Sequence, residues 1–227
     1  MSWIASFYRT ALGKKAVMAV TGAFLAGWVL AHMAGNLKIF MGPEHLNEYA
    51  KWLRTMGAPA MPHSALLWIV RILMVVAVWL HIQAATQLTL QSREARPLAY
   101  TRRDNVVASY ASRTMRWGGV IILLFILYHL LHLTFGVHVA PAQFVENDPY
   151  HNVVAGFQVW WVAAVYIIAN LALGLHLWHG LRALFDSLGL NHPNFNVARR
   201  WFAVAFALVI TIGNISMPVA VLLGILR

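Results

Sequence analysis

The chain has 227 residues, of which 60% are hydrophobic and 11% charged, with a mean hydropathy of +0.65 and a formal charge of +10. Soluble domains carry about a quarter charged residues, so this composition excludes a solvated globule, a disordered tail and, despite the charge, a nucleic-acid-binding module. The sequence has no cysteine, which excludes disulfides, thiolate metal sites, iron–sulfur ligation and thioether-attached haem; its eleven histidines and ten tryptophans leave imidazole as the ligating chemistry.

A helix that crosses a bilayer needs roughly 20 predominantly apolar residues. In chain order, five runs reach that length: about 16–40, 65–90, 117–137, 153–181 and 202–226. They predict an all-α, polytopic membrane protein, a single five-helix bundle over residues 1–227. Lys14 and Lys15 precede the first run as they would a signal peptide, but its length, with His32 and Asn36 near its far end, predicts a retained helix. The runs are too long and too unbroken for barrel strands. Turn-formers and charges separate them: Gly42-Pro43-Glu44, Ala95-Arg96-Pro97, Pro141 through Pro149, and Asn191-His192-Pro193.

Lysine and arginine set the orientation. One side of the five runs holds twelve: Arg9, Lys14, Lys15, Arg93, Arg96, Arg102, Arg103, Arg113, Arg116, Arg182, Arg199 and Arg200. The other holds five: Lys38, Lys51, Arg54, Arg71 and Arg227. This predicts a cytoplasmic N-terminus and 93–116 loop, with residues 138–151 and the C-terminus outside. Most of these cations serve as headgroup anchors in any membrane protein.

Ionisable or ligating residues at membrane depth are expensive and mark function. His32, His81, His129, His132 and His176 stand there, with His179 one turn beyond His176. One such histidine is as readily a neutral core residue bonded to a backbone carbonyl. Here each of the first four runs supplies one, and His32, His81, His129 and His176 are 49, 48 and 47 residues apart, a helix plus a loop each time. At 1.5 Å rise per residue, His32 and His129 lie about 12 and 11 Å from the outer ends of their runs. His81 and His176 lie about 18 and 9 Å before Arg93 and Arg182, in the inner half. The four therefore sort into two pairs, one per leaflet, each from two parallel helices. Bis-histidine ligation of two b-type haems stacked across the membrane needs that arrangement. Small residues that admit a porphyrin flank three of the four: Gly35 near His32; Ala77, Ala84 and Ala85 near His81; Ala172 and Gly180 near His176. Cytochromes of the bc type instead carry two histidines about 13 residues apart on one helix, a pair missing here. A histidine-lined transporter is the non-redox alternative, but Asp and Glu are missing from all five predicted helix interiors.

Four segments in order carry a family resemblance: His32-Met33-Ala34-Gly35-Asn36-Leu37; the stretch from His81 through Arg93-Glu94-Ala95-Arg96-Pro97; Arg116-Trp117-Gly118-Gly119 with His129 ten residues on; and His176-Leu177-Trp178-His179-Gly180-Leu181. Across nearly its whole length the chain resembles the cytochrome b anchor of succinate:quinone oxidoreductases, in the class with one five-helix polypeptide and two b haems. The resemblance implies that His32 and His129 hold the distal haem iron, and His81 and His176 the proximal one. It implies a flavoprotein and an iron–sulfur subunit on the cytoplasmic face of a bacterial inner membrane, and electron exchange with a quinone, usually menaquinone. Some dihaem fumarate reductases carry a membrane glutamate two residues before the fourth ligand; here that residue is Gly174, which points to succinate oxidation over the reverse direction. For the quinone, the sequence offers Glu44, His45, Glu48 and Lys51 in the outer loop, residues equally suited to an ordinary membrane interface.

Overall fold

The structure, a computed structural model, describes residues 3–95, 110–137 and 141–227. Arg96, Arg102 and Arg103 of the predicted cytoplasmic loop lie outside them. Among the described residues there are helices and no strands. A short helix, α1 (Trp3–Arg9), precedes α2 (Ala11–Asn36), where the Thr10 side chain caps the backbone N–H of Gly13 at 3.0 Å. A 3-10 turn, Leu37–Met41, extends α2 until Gly42 at φ 104° and then Pro43 redirect the chain. Helix α3 (Pro43–Thr55) follows, with Leu46 buried and Glu44, His45, Glu48 and Lys51 all exposed. Next come α4 (Ala65–Glu94), α5 (Tyr110–His129) with a π-helical turn at Leu130–Thr134, α6 (Pro149–Gln158), α7 (Trp160–Ser187) and α8 (Pro193–Leu222).

Five of these segments are long and apolar enough to span a membrane: Ala11–Met41, Ala65–Glu94, Met115–Thr134, Trp160–Ser187 and Pro193–Leu222. The predicted fourth run begins too early, because its first residues belong to α6. Val159 is extended at φ −81° and ψ 104°, and it breaks an apolar stretch that carries no proline. The fifth begins nine residues earlier than predicted. His192 caps it, Pro193 opens it, and Arg199 and Arg200 ride on its first turns rather than in a loop.

Helix α7 is the centre of the bundle, packed on α8, α5 and α2, while α4 packs on α2. Small residues bring these helices together, as lipid-embedded interfaces require: Ala163 and Ala203 have no exposed surface. Gly174 receives the Thr211 side chain, and Gly213 receives Met33. Trp79, Leu124, Ile168 and Ile212 point outward into what is acyl chain in a bilayer. Trp68 and Trp160 on one rim, and Trp117 and Trp201 on the other, form the aromatic belts expected at headgroup level.

The face away from the N-terminus is closed by α3 and α6, which pack on each other. Asp148 caps α6, accepting the His151 N–H at 3.0 Å and the Asn47 side-chain amide at 2.9 Å. These two donors hold its carboxyl below the usual carboxylate range. Asn47 also accepts the Tyr150 N–H at 3.1 Å, and Arg54 donates to Asn147. Hydrogen bonds between side chains and backbone thus tie the two caps together at the rim.

Candidate functional site

Nearer the N-terminal face, His81 of α4 and His176 of α7 face each other with ring centroids 6.3 Å apart. Helix α2 builds the seat for His81. The Nδ1 lies 3.1 Å from the Met18 carbonyl oxygen and 3.2 Å from Thr21 Oγ1, whose own hydroxyl donates to the Val17 carbonyl. Two acceptors on Nδ1 mean that this nitrogen carries the proton, so Nε2 keeps its lone pair. Gly22 leaves space for the ring: a Cβ there would stand 3.2 Å from His81 Cε1. From the other side, Gly119 of α5 leaves room beside His176, whose Nδ1 is buried without a hydrogen-bond partner.

Nearer the far face, His32 of α2 and His129 of α5 stand 5.9 Å apart with rings nearly perpendicular, and Trp28 stacks on His32. Tyr166 of α7 places its hydroxyl 3.4 Å from His129 Nδ1. His132, on the π turn, is turned away from His32: its ring lies on Gly156 of α6, and its Nδ1 is 3.0 Å from the Tyr166 hydroxyl.

The bundle contains its own ruler for the separation of the pairs. On α2 the inner level lies at Gly22 and the outer at His32; on α5 the levels lie at Gly119 and His129; on α7, at His176 and Tyr166. Each interval is ten residues, about 15 Å along a helix.

These distances decide what the pairs can hold. An imidazole nitrogen lies about 1 Å from its ring centroid and a metal–imidazole bond is about 2 Å, so a metal between two rings sets their centroids about 6 Å apart. Both pairs match. Each also spans helices that do not pack closely on one another: α4 rests on α2 rather than α7, and α5 on α7 rather than α2. The rings therefore meet across gaps between helices. Among the described residues no group of three or more His, Cys, Asp or Glu is placed to hold a metal ion. A site with two protein ligands suits a metal that brings its remaining donors in a macrocycle.

Several predicted residues have other surroundings. Glu44, His45, Glu48 and Lys51 line the exposed side of α3, the helix whose Tyr49 packs on Gly35 of α2. Gly35 does not open onto a cofactor space, because the Tyr49 ring covers it, 2.6 Å from where a Cβ would be. Ala77 and Ala84 are buried in the bundle, whereas Gly180 has open space around it. Sequence reasoning missed Met18, Thr21 and Gly22 as the seat of His81, and Tyr166 as the partner of His129.

No match was found among curated proteins or solved structures. Residues 92–213, just over half of the chain, match the succinate dehydrogenase/fumarate reductase transmembrane subunit family. The matched stretch contains His129 and His176, while His32 and His81 lie N-terminal to it. The chain is thus a multi-pass membrane subunit that belongs to the succinate dehydrogenase/fumarate reductase transmembrane subunit family.

Proposed function

We propose that this membrane subunit is a dihaem cytochrome b, with His81 and His176 as axial ligands of a proximal haem and His32 and His129 as those of a distal one. The observation that carries the reading is the pair of imidazole–imidazole separations, 6.3 and 5.9 Å, each across a gap between helices. When bound, the two haems supply one-electron sites that together span the membrane. The chain's residues do the rest. His81 keeps Nε2 available because the Met18 carbonyl and Thr21 hold its other nitrogen protonated. The apolar helices exclude water and separate the two levels by about 15 Å. Arg9, Arg93, Arg182 and Arg200 give the N-terminal face a positive surface, which in this reading is cytoplasmic and receives the iron–sulfur subunit of a complex whose flavoprotein handles succinate and fumarate. Quinone, in this class menaquinone, exchanges electrons at the far side. At Gly174 the wall of α8 fills the place of the fumarate-reductase glutamate, which supports electron flow from succinate to quinone in a bacterial inner membrane.

The test replaces one ligand at each level. His176→Ala in the intact complex is expected to remove one haem and to stop succinate-driven reduction of the other haem and of quinone. The flavoprotein's reaction with a soluble dye should survive, since it lies upstream. His32→Ala is expected to leave one haem reducible by succinate while blocking quinone reduction. Fast succinate reduction of quinone in His176→Ala, with all subunits copurifying, would contradict the route.

A further inference from the structure

The sequence offers two histidines on α5, His129 and His132, for one outer ligand position. On the dihaem reading above, we infer that Tyr166 is the positioning residue that sets the protonation pattern of the two, by fixing the direction of a hydrogen-bond chain that runs His129 to Tyr166 to His132. The Tyr166 side chain is buried, and its hydroxyl lies 3.4 Å from His129 Nδ1 and 3.0 Å from His132 Nδ1. A phenol has one proton to donate and lone pairs to accept with, so it cannot donate to both rings. With His129 bound through Nε2, its Nδ1 is protonated and donates to the phenol oxygen. The phenol proton then points at His132 Nδ1, which must accept. His132 is thereby held as the Nε2–H tautomer, with no lone pair left for a metal.

The opposite direction, with His132 as ligand, satisfies the same hydrogen bonds but fails on space. His132 Nε2 faces the α6 backbone at Gly156, where even a Cβ would come within 2.8 Å of it. The π turn at Leu130–Thr134 produces this orientation by rotating His132 off the His129 stripe towards α6. His32 stands opposite His129. Sterics therefore fix the ligand, and Tyr166 converts that choice into a defined protonation pattern. An acceptor on Nδ1–H makes the ligated imidazole more basic and favours the oxidised metal, so Tyr166 also holds the outer site at a lower potential than it would otherwise have.

The experiment compares Tyr166→Phe with Tyr128→Phe in the full-length protein in membranes. Tyr128 is a matched control, because its hydroxyl is buried close by without a hydrogen-bond partner. Potentiometric titration with optical and low-temperature EPR detection reads each haem separately. Tyr166→Phe is expected to keep two haems, to raise the midpoint potential of one and change its EPR g-values, and to leave the other unmoved; Tyr128→Phe is expected to match the wild type. His132→Ala is expected to keep both haems, whatever the yield of the tyrosine variants. Wild-type potentials and g-values in Tyr166→Phe, or loss of one haem in a folded His132→Ala protein, would overturn the inference. A wild-type protein without bis-histidine low-spin haem would instead overturn the reading on which it rests.

Discussion

Enlarging Gly22 moves the His81 ring while leaving every ligand and every hydrogen-bonding side chain in the sequence. A Cβ at this position lies 3.2 Å from Cε1 and 3.6 Å from Nδ1 of His81, so alanine already demands a shift of a few tenths of an ångström. Leucine sets three further carbons over the same ring. The bond from Nδ1 to the Met18 carbonyl is 3.1 Å, near the outer edge of the usual range, so a displacement of about 0.5 Å breaks it. Loss of such a partner behind a metal-ligating histidine costs about 10–100-fold in metal affinity, or about 1.4–2.8 kcal/mol. If the inner pair holds a haem as proposed, Gly22→Ala is expected to weaken its binding by about tenfold, and Gly22→Leu to empty that site. The outer pair, about 15 Å away along α2, should keep its haem. Gly27, exposed on the same helix with nothing within 4 Å, supplies the control, and Gly27→Leu should bind both haems. The assay is haem titration of the purified apo-subunit, followed by difference spectroscopy and haem quantified per chain. A folded Gly22→Leu protein that bound two haems with wild-type affinity would refute the seat assigned to His81.

The absence of native cysteine makes topology directly testable: Gln143→Cys should react with an impermeant maleimide in intact cells and Leu190→Cys only after lysis, and the reverse pattern would invert the orientation. Asp148→Ala removes the α6 cap and is expected to cost about 1 kcal/mol at neutral pH. Because the native carboxyl is held low by the His151 N–H and Asn47, its contribution is present above the ordinary carboxylate range and lost as pH falls through the lowered native value. The difference in thermal stability between wild type and Asp148→Ala should therefore shrink on acidification, and a gap that widened would contradict the clamp.

The five spans were legible because twenty apolar residues in a row admit little else in lipid, and the four histidines because a ligating side chain is expensive at membrane depth and each of the first four runs carries one. Their pairing followed from depth, since helix rise converts sequence position into height. What escaped were boundaries and neighbours. Apolar residues continue through Val159, so composition did not reveal that 149–158 turns aside as α6; the break lies in the extended backbone of Val159. The predicted fifth run starts after Arg199 and Arg200, although Arg199 sits on α8 and bonds back to Asp186 at 3.1 Å. The sequence also carries a ten-residue signal. Gly22 precedes His32 by ten residues, Gly119 precedes His129 by ten, and Tyr166 precedes His176 by ten. Ten residues is the distance between the two levels, so α2, α5 and α7 each carry a proposed ligand at one level and a residue that seats or contacts the other pair's imidazole at the other. The roles of Met18 and Thr21 could not be read that way, because a backbone carbonyl has no side-chain signature and Thr21 looks like any helix threonine bonded to its own turn.

Haem content decides whether the two imidazole pairs hold two haems, one above the other, as proposed. A reduced-minus-oxidised difference spectrum of the purified subunit, with haem extracted and quantified against protein, tests it most directly. Two b-type haems per chain are expected, both low-spin, falling to one in each of His32→Ala, His81→Ala, His129→Ala and His176→Ala. A chain that purifies folded with no haem, or whose haem content is unchanged by all four substitutions, would contradict it.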